Sequence, residues 1–271
     1  MTAAMTGGGD IAAPADGRTA ISLRDLSVVY GSGPNAITAV EQVNLDIREG
    51  EFLAVLGPSG CGKSSLLKVL SGLLKPASGA VDIAGAPVSG PRADVGIVFQ
   101  APTLLPWKTV IENVCLPGRI LKRDPRQTRE HAERMLDLVG LSGFLGKYPN
   151  QLSGGMAQRA GIARGLAQDP AVMLMDEPFG ALDAMTRERM NLDLLDIWAE
   201  TRKTIVFITH SIGEAVLLAD RVAVMSSRPG RVVDIVDIDL PRPRNMAMMS
   251  TEAFGKYTSH LRGCFNASGD L

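Results

Sequence analysis

Residues 52–70 read FLAVLGPSGCGKSSLLKVL, and this stretch decides the fold. Five apolar residues, Phe52 to Leu56, predict a buried strand. The loop Gly57-Pro58-Ser59-Gly60-Cys61-Gly62 follows, and Lys63-Ser64-Ser65 opens a run with helical spacing. The pattern is GxxxxGKS in the strand, loop and helix context that a phosphate loop needs. Glycines let backbone N–H groups surround phosphate oxygens, and the helix start adds a favourable dipole. Lys63 neutralises the β and γ charges, and Ser64 can ligate Mg2+. Average residue usage would give the bare pattern in roughly 1% of chains this long, so a plain glycine turn is a poor rival.

Upstream, ISLRDLSVVY predicts a strand from Ile21 ending on Tyr30, and VEQVNLDIREGEFLAVLG alternates up to a hairpin-like break at Glu49-Gly50. Downstream come a turn at Pro76 to Gly79, a strand at Ala80 to Ala84, and a strand at Val95 to Phe99 that stops on Gln100. Residues 109–139 change to helical spacing in TVIENV and RQTREHAERMLDLVGL, as a helical insertion would. The unbroken runs VMLMDEP and TIVFITH predict central parallel strands covered on both faces, with ERMNLDLLDIWAETR as the crossover helix. RVAVMSSRPGRVVDIVDIDL predicts two closing strands around Pro229-Gly230, before a short tail. The class is α/β.

Composition removes several functions. The 271 residues carry 28 basic against 29 acidic groups, net −1, which supplies no general drive onto nucleic acid or anionic lipid. Cys61, Cys115 and Cys264 are odd in number, widely spaced and without a CxxC pair, which disfavours a disulfide framework or a zinc site and fits a reducing cytosol. No apolar run reaches the roughly 18 to 20 residues of a transmembrane helix. Residues 1–20, rich in Gly, Ala, Pro and Asp, are expected to be a flexible leader.

Two further motifs bear on chemistry. Asp176 and Glu177 close an apolar strand; one carboxylate suits a hold on Mg2+ and the next can face an attacking water. An isolated Asp-Glu is more often a solvated turn, but the phosphate loop upstream reverses that reading. Leu152-Ser153-Gly154-Gly155-Met156-Ala157-Gln158-Arg159 precedes the helix AGIARGLAQ, so Ser153, Gly154 and Gly155 form a second helix start suited to anions. One chain then holds two phosphate-recognising helix starts, and one nucleotide has a single γ-phosphate. Head-to-tail pairing of two chains accounts for both.

The phosphate loop, Gln100, LSGG, MDEP, Ala181-Leu182-Asp183 and His210 occur in the order of the ABC ATPase family, and the chain resembles that family from about residue 21 to 240. The resemblance implies a P-loop NTPase with a mixed sheet core, an antiparallel β subdomain and a helical subdomain inserted at about 100–160. The tail would begin near 241. It implies an ATP-induced head-to-tail homodimer whose two ATP molecules each lie between one subunit's phosphate loop (Gly57 to Ser65) and the other's Ser153, Gly154, Gly155 and Gln158. By the same resemblance Glu177 is the general base, His210 positions water at the γ-phosphate, Gln100 links Mg2+ to the helical lobe, Ser64 and Asp176 hold Mg2+, Tyr30 stacks on adenine and Asp183 sits at the seam. Met156-Ala157 replace residues that are often polar in the signature. Cys61 beside Lys63 is expected to be a reactive thiol, and His131 and His260 are expected at the surface.

QAPTLLPWKTVIENV and SSRPGRVVDIVDIDLPRPR are similar to segments of importers of the nitrate, sulfonate and taurine type. That likeness implies a peripheral ATPase on the cytoplasmic face of the membrane, separate transmembrane permease subunits, an external solute-binding protein, and no nucleic acid. The alternatives are a soluble ABC ATPase of translation or DNA repair, which usually carries two cassettes or a coiled coil, and a P-loop kinase, which has no use for LSGG.

Overall fold

The computed structural model describes residues 17–267. Strands β1 (Thr19–Tyr30) and β2 (Ile37–Arg48) form an antiparallel pair, and β3 (Phe52–Leu56) leads through the glycine loop into α1 (Lys63–Leu70). Strands β4 (Ser78–Ile83), β5 (Ala86–Pro87) and β6 (Val95–Val98) follow, then helices α2 (Val110–Val114), α3 (Leu116–Ile120), α4 (Pro125–Leu138) and α5 (Gly154–Leu166). The chain continues with β7 (Val172–Asp176), α6 (Ala184–Thr201), β8 (Thr204–Thr209), α7 (Ile212–Leu218), β9 (Arg221–Met225), β10 (Val232–Asp237) and α8 (Glu252–Ala267).

Among the described residues these strands make two sheets, an antiparallel one in the order β2-β1-β4-β5 and a mixed one in the order β10-β9-β3-β8-β7-β6. In the second, β9, β3, β8, β7 and β6 run parallel and only β10 is antiparallel. Strand β3 shows why its sequence is apolar throughout. Phe52, Ala54 and Leu56 face a core shared with α5, α6 and α7, whereas Leu53 and Val55 face a second core against α1 and the antiparallel sheet. Side chains alternate across a strand, so a strand buried on both faces has no polar position.

The helical segment is held by local chemistry. Thr109 and Glu112 form a reciprocal capping box at the start of α2, with Thr109 N–H donating to Glu112 Oε2 at 2.9 Å. The fully buried Asn113 accepts from Leu105 N–H at 2.7 Å and donates to the carbonyls of Leu105, Lys108 and Thr109. This braces the loop carrying Trp107, which is 70% exposed.

Three expectations change. The Glu49-Gly50 break is not a hairpin: β2 pairs with β1, β3 lies in the other sheet, and the turn carries the chain between them. Strand β1 takes in residues before Ile21, since Thr19 pairs with Arg48 and Ala20 is buried; residues 1–16 of the expected leader lie outside the described residues. Nor is the segment after Leu240 merely a tail. Phe254 and Leu261 of α8 are buried in the main core, with Tyr257 and Phe265 packed beside them, because the helix has an apolar stripe.

Candidate active site

Parallel pairing aligns the carboxyl ends of four strands. Leu56 of β3 pairs with Thr209 of β8, Ile208 pairs with Asp176 of β7, and Met175 pairs with Val98 of β6. The residues just beyond these ends therefore line up in the sheet order: the phosphate loop after β3, His210 after β8, Glu177 after Asp176, and Gln100 after β6. Ligands of open α/β sheets bind along such an edge. Sequence separations of more than 100 residues collapse here into one row.

The loop is tightly built. Gly62 adopts φ +106°, and a Cβ there would lie 2.5 Å from the Ala39 carbonyl, so only glycine fits. Lys63 is buried, and its ammonium donates to the carbonyls of Gly57 at 2.8 Å and Pro58 at 2.9 Å while standing 3.8 Å from Glu177 Oε1. Ser64 Oγ donates to Asp176 Oδ1 at 3.1 Å. Burial pushes the Asp176 carboxyl above its ordinary range, the Ser64 hydrogen bond opposes this, and the nearby Glu177 adds to the rise. A hydroxyl and a carboxylate side by side at the loop are hard oxygen donors, and a cation would relieve the crowded acids; the residues fit Mg2+.

Glu177 leaves the strand in a left-handed conformation, φ 43°, with its N–H donating to the Ile208 carbonyl at 3.0 Å. A non-glycine residue there is strained, and strain of this kind gathers at functional sites. Its Oε2 lies 3.0 Å from His210 Nδ1. The loop carrying His210 is itself anchored: Thr209 hydroxyl donates to Glu214 Oε2 at 2.6 Å and accepts from Ser211 N–H at 3.0 Å. Burial raises the Glu214 carboxyl, partly offset by the Thr209 hydrogen bond and the Arg187 charge. The Gln100 amide and the Glu177 carboxylate both approach Gly180, where a Cβ would meet Gln100 Nε2 at 3.1 Å and Glu177 Oε2 at 3.7 Å.

A cleft of about 400 Å³ is lined by Tyr30, Ile37, Ala39, the loop from Ser59 to Ser65 except Cys61, Glu177 and Arg228. Tyr30 hydroxyl donates to Ser65 Oγ at 3.0 Å, which joins the ring to the helix start. Ile37 and Arg228 were not singled out by sequence reasoning. Arg228 Nη2 donates to the Gly60 carbonyl at 3.2 Å, and Gly230 fits so closely that a Cβ would stand 2.0 Å from the Cys61 carbonyl. The Pro229-Gly230 turn thus braces the phosphate loop, a long-range role that nothing in its local sequence signals.

A family model described as ABC transporter matches residues 40–180. The chain belongs to the ABC transporter family. It is 51% identical over 242 residues to the taurine import ATP-binding protein TauB of Rhizobium johnstonii, covering 87% of this chain and 92% of that protein. An uncharacterized ABC transporter ATP-binding protein of Methanocaldococcus jannaschii is 50% identical over 226 residues, covering 83% and 84%. The dimeric cassette MJ0796 in a post-hydrolysis state, bound to ADP and phosphate, superposes with a TM-score of 0.70 at 35% identity, covering 80% of this chain and 98% of that one. This cassette binds and hydrolyses ATP.

The cassette's signature stands at another place in the fold. Ser153 caps α5, its hydroxyl accepting from Met156 N–H at 3.3 Å, and the helix start packs beside Leu182 and Thr186. Asp183 caps α6 by accepting from Thr186 N–H at 3.0 Å, and the Thr186 hydrogen bonds hold its carboxyl below the usual range. None of Ser153, Gly154 and Gly155 lines the cleft over the phosphate loop of the same chain. Gln158 departs from the expected nucleotide role: it is 2% exposed and donates to the Phe99 carbonyl at 3.2 Å, tying α5 to the segment that presents Gln100.

Two other expectations are corrected, those for Cys61 and His131. Cys61 is 1% exposed and packs in the core below the loop, so its thiol is closed to an alkylating reagent. His131 is half-buried, with Arg134 Nη2 3.0 Å from its Nδ1. His260 lies at the surface as expected, with its Nε2 2.8 Å from Asp234.

Proposed function

We propose that this cassette powers import of a small sulfonate such as taurine, or of a related anion, through separate transmembrane subunits. The single observation that carries the reading is the likeness to the taurine import protein over 87% of this chain, joined to a strand edge that presents phosphate loop, His210, Glu177 and Gln100 in one row. No helix of the described residues is long and apolar enough to cross a membrane, so the path for solute belongs to partner chains. The exposed Trp107 loop and the helical lobe behind it suit docking onto a permease at the cytoplasmic face, with an external solute-binding protein delivering the solute.

In this reading Tyr30 and Ile37 cradle the adenine, the backbone of Gly57 to Ser65 wraps the phosphates, and Lys63 swings its ammonium from the loop carbonyls to the β- and γ-oxygens. Ser64 and Asp176 would hold Mg2+, which when bound neutralises phosphate charge. Glu177 accepts a proton from the attacking water, and His210 fixes the carboxylate that does so. Ser153, Gly154 and Gly155 of a second copy close the site, so that binding ATP draws the two helical lobes together and hydrolysis releases them. Positioning and charge do most of the work of phosphoryl transfer.

The test has two layers. ATPase activity of the purified chain should rise more than linearly with protein concentration and be abolished by Lys63→Ala and by Ser153→Ala; a silent Ser153→Ala would remove the two-chain site. Proteoliposomes holding the full transporter should then accumulate labelled taurine on adding ATP. Nitrate uptake without taurine uptake would replace the solute and leave the ATPase reading intact.

A further inference from the structure

Strand β10 and helix α8 bring three unlike donors to one point, outside the ATP site. Asp234 Oδ2 lies 2.8 Å from His260 Nε2 and 3.5 Å from Cys264 Sγ, and the two helical atoms are 4.0 Å apart. We propose that Asp234, His260 and Cys264 bind a divalent transition ion of the Zn2+ class and clamp α8 onto β10.

The dimensions fit the ion. With metal bonds of about 2.0 to 2.3 Å at tetrahedral angles, nitrogen, oxygen and sulfur ligands stand about 3.4 to 3.6 Å apart. The three observed separations straddle that range, and every ligand atom lies within 4.8 Å of the others. A shift of about half an ångström in the side chains, none in the backbone, would close the triangle around an ion.

Placement supports the same reading. His260 and Cys264 are four residues apart on α8, so they share one face of the helix. The helix is fixed by buried Phe254 and Leu261, and β10 is fixed by its pairing with β9. Asp234 is pre-oriented: Oδ1 accepts from Ile235 N–H at 2.8 Å, which leaves Oδ2 turned to the helix. An outer hydrogen bond of this kind sets the direction of a metal ligand.

The donor set selects the class of ion. Thiolate and imidazole favour Zn2+, Co2+ or Ni2+ over Mg2+ and Ca2+, and three protein ligands leave a fourth position for water. Binding replaces the S–H bond of Cys264 with a metal–sulfur bond and releases that proton to solvent, while His260 binds through unprotonated Nε2. Burial holds the thiol proton more tightly than usual, and the hydrogen bond that Cys264 donates to the Asp234 carboxylate adds to this, so the ion has to displace it.

The experiment is a Co2+ titration of the full-length, chelator-stripped chain, followed by competition with Zn2+. The expected result is one Co2+ per chain, tetrahedral visible bands and a sulfur-to-cobalt band in the near ultraviolet, all erased by Zn2+. Cys264→Ser should abolish the sulfur band, and His260→Ala or Asp234→Ala should weaken Co2+ binding at least ten-fold. Zn2+ should raise the unfolding temperature of the wild-type chain and not of Cys264→Ser, with ATPase activity of that variant unchanged. A sulfur band that survives in Cys264→Ser, or no stoichiometric Co2+ in the wild type, overturns the proposal. Should Cys264→Ser fail to fold, His260→Gln decides the question: binding equal to wild type overturns it, and a ten-fold loss supports it.

Discussion

Glu177 Oε2 and His210 Nδ1 lie 3.0 Å apart across the ends of two neighbouring parallel strands, while Glu177 Oε1 faces the Lys63 ammonium at 3.8 Å. One carboxylate is thus held from both sides. If it is the base, Glu177→Gln keeps the shape and loses the proton acceptor, and turnover should fall by about 10² to 10⁴-fold with ATP affinity retained. His210→Ala frees the carboxylate to rotate and should lower kcat by a smaller factor, with KM little changed. Steady-state kinetics beside nucleotide-binding measurements check both, and near-normal turnover by Glu177→Gln would take the base role from it.

Arg228 tests whether the C-terminal strands contribute to nucleotide binding. Its guanidinium donates to the Gly60 carbonyl at 3.2 and 3.3 Å, from an exposed position where solvent weakens the bond. A loss of about 0.5 to 1 kcal/mol is expected for Arg228→Ala, equal to a two- to five-fold rise in KM for ATP with kcat nearly unchanged. An unaltered KM would leave Arg228 as a bystander on the rim of the cleft.

How legible this was in the sequence follows from where each signal resides. The phosphate loop and the apolar strands are local patterns, and the α/β fold with its helical segment follows from them. Leu53 and Val55 facing one core while Phe52 and Leu56 face another is likewise implicit in an apolar run without alternation. Partnership over long separations left no such trace. Arg228 meets Gly60, Gln158 meets Phe99, and Glu214 holds the His210 loop, yet each is an ordinary polar residue in its own window. The left-handed φ of Glu177 is invisible for the same reason, because it arises from the Ile208 carbonyl on another strand.

His131 carries a pH dependence. Burial chiefly, and then the Arg134 charge, lower its pKa in the folded chain, and an Arg134 N–H donating to Nδ1 requires the neutral ring. The unfolded chain therefore binds the proton more readily. Stability from this group is complete above about pH 6.5 and declines as pH falls toward the lowered folded value, by at most about 1.4 kcal/mol per pH unit. Urea unfolding at pH 7.5 and 5.5 should show a smaller loss in His131→Gln than in the wild type; equal losses would assign the acid sensitivity to other groups.

Arg244 decides whether the segment beyond Leu240 is structural. It is 6% exposed, and Nη1 donates to the carbonyls of Val216 at 3.0 Å and Ala219 at 2.7 Å, while Nη2 donates to Ile238 at 3.0 Å. The carbonyls at the end of α7 have no partners within their helix, and a buried cation satisfies them. Burial and the neighbouring Arg242 push Arg244 down to about 10, so it stays charged at neutral pH. Arg244→Met fills similar space but orphans these acceptors, and should cost about 2 to 4 kcal/mol in chemical denaturation. Truncation after Leu240 removes Phe254 and Leu261 as well and bares the core they cover, so it should yield a chain that aggregates or melts far lower. A truncated chain with unchanged melting and full ATPase activity would return residues 241–271 to the status of an appendage.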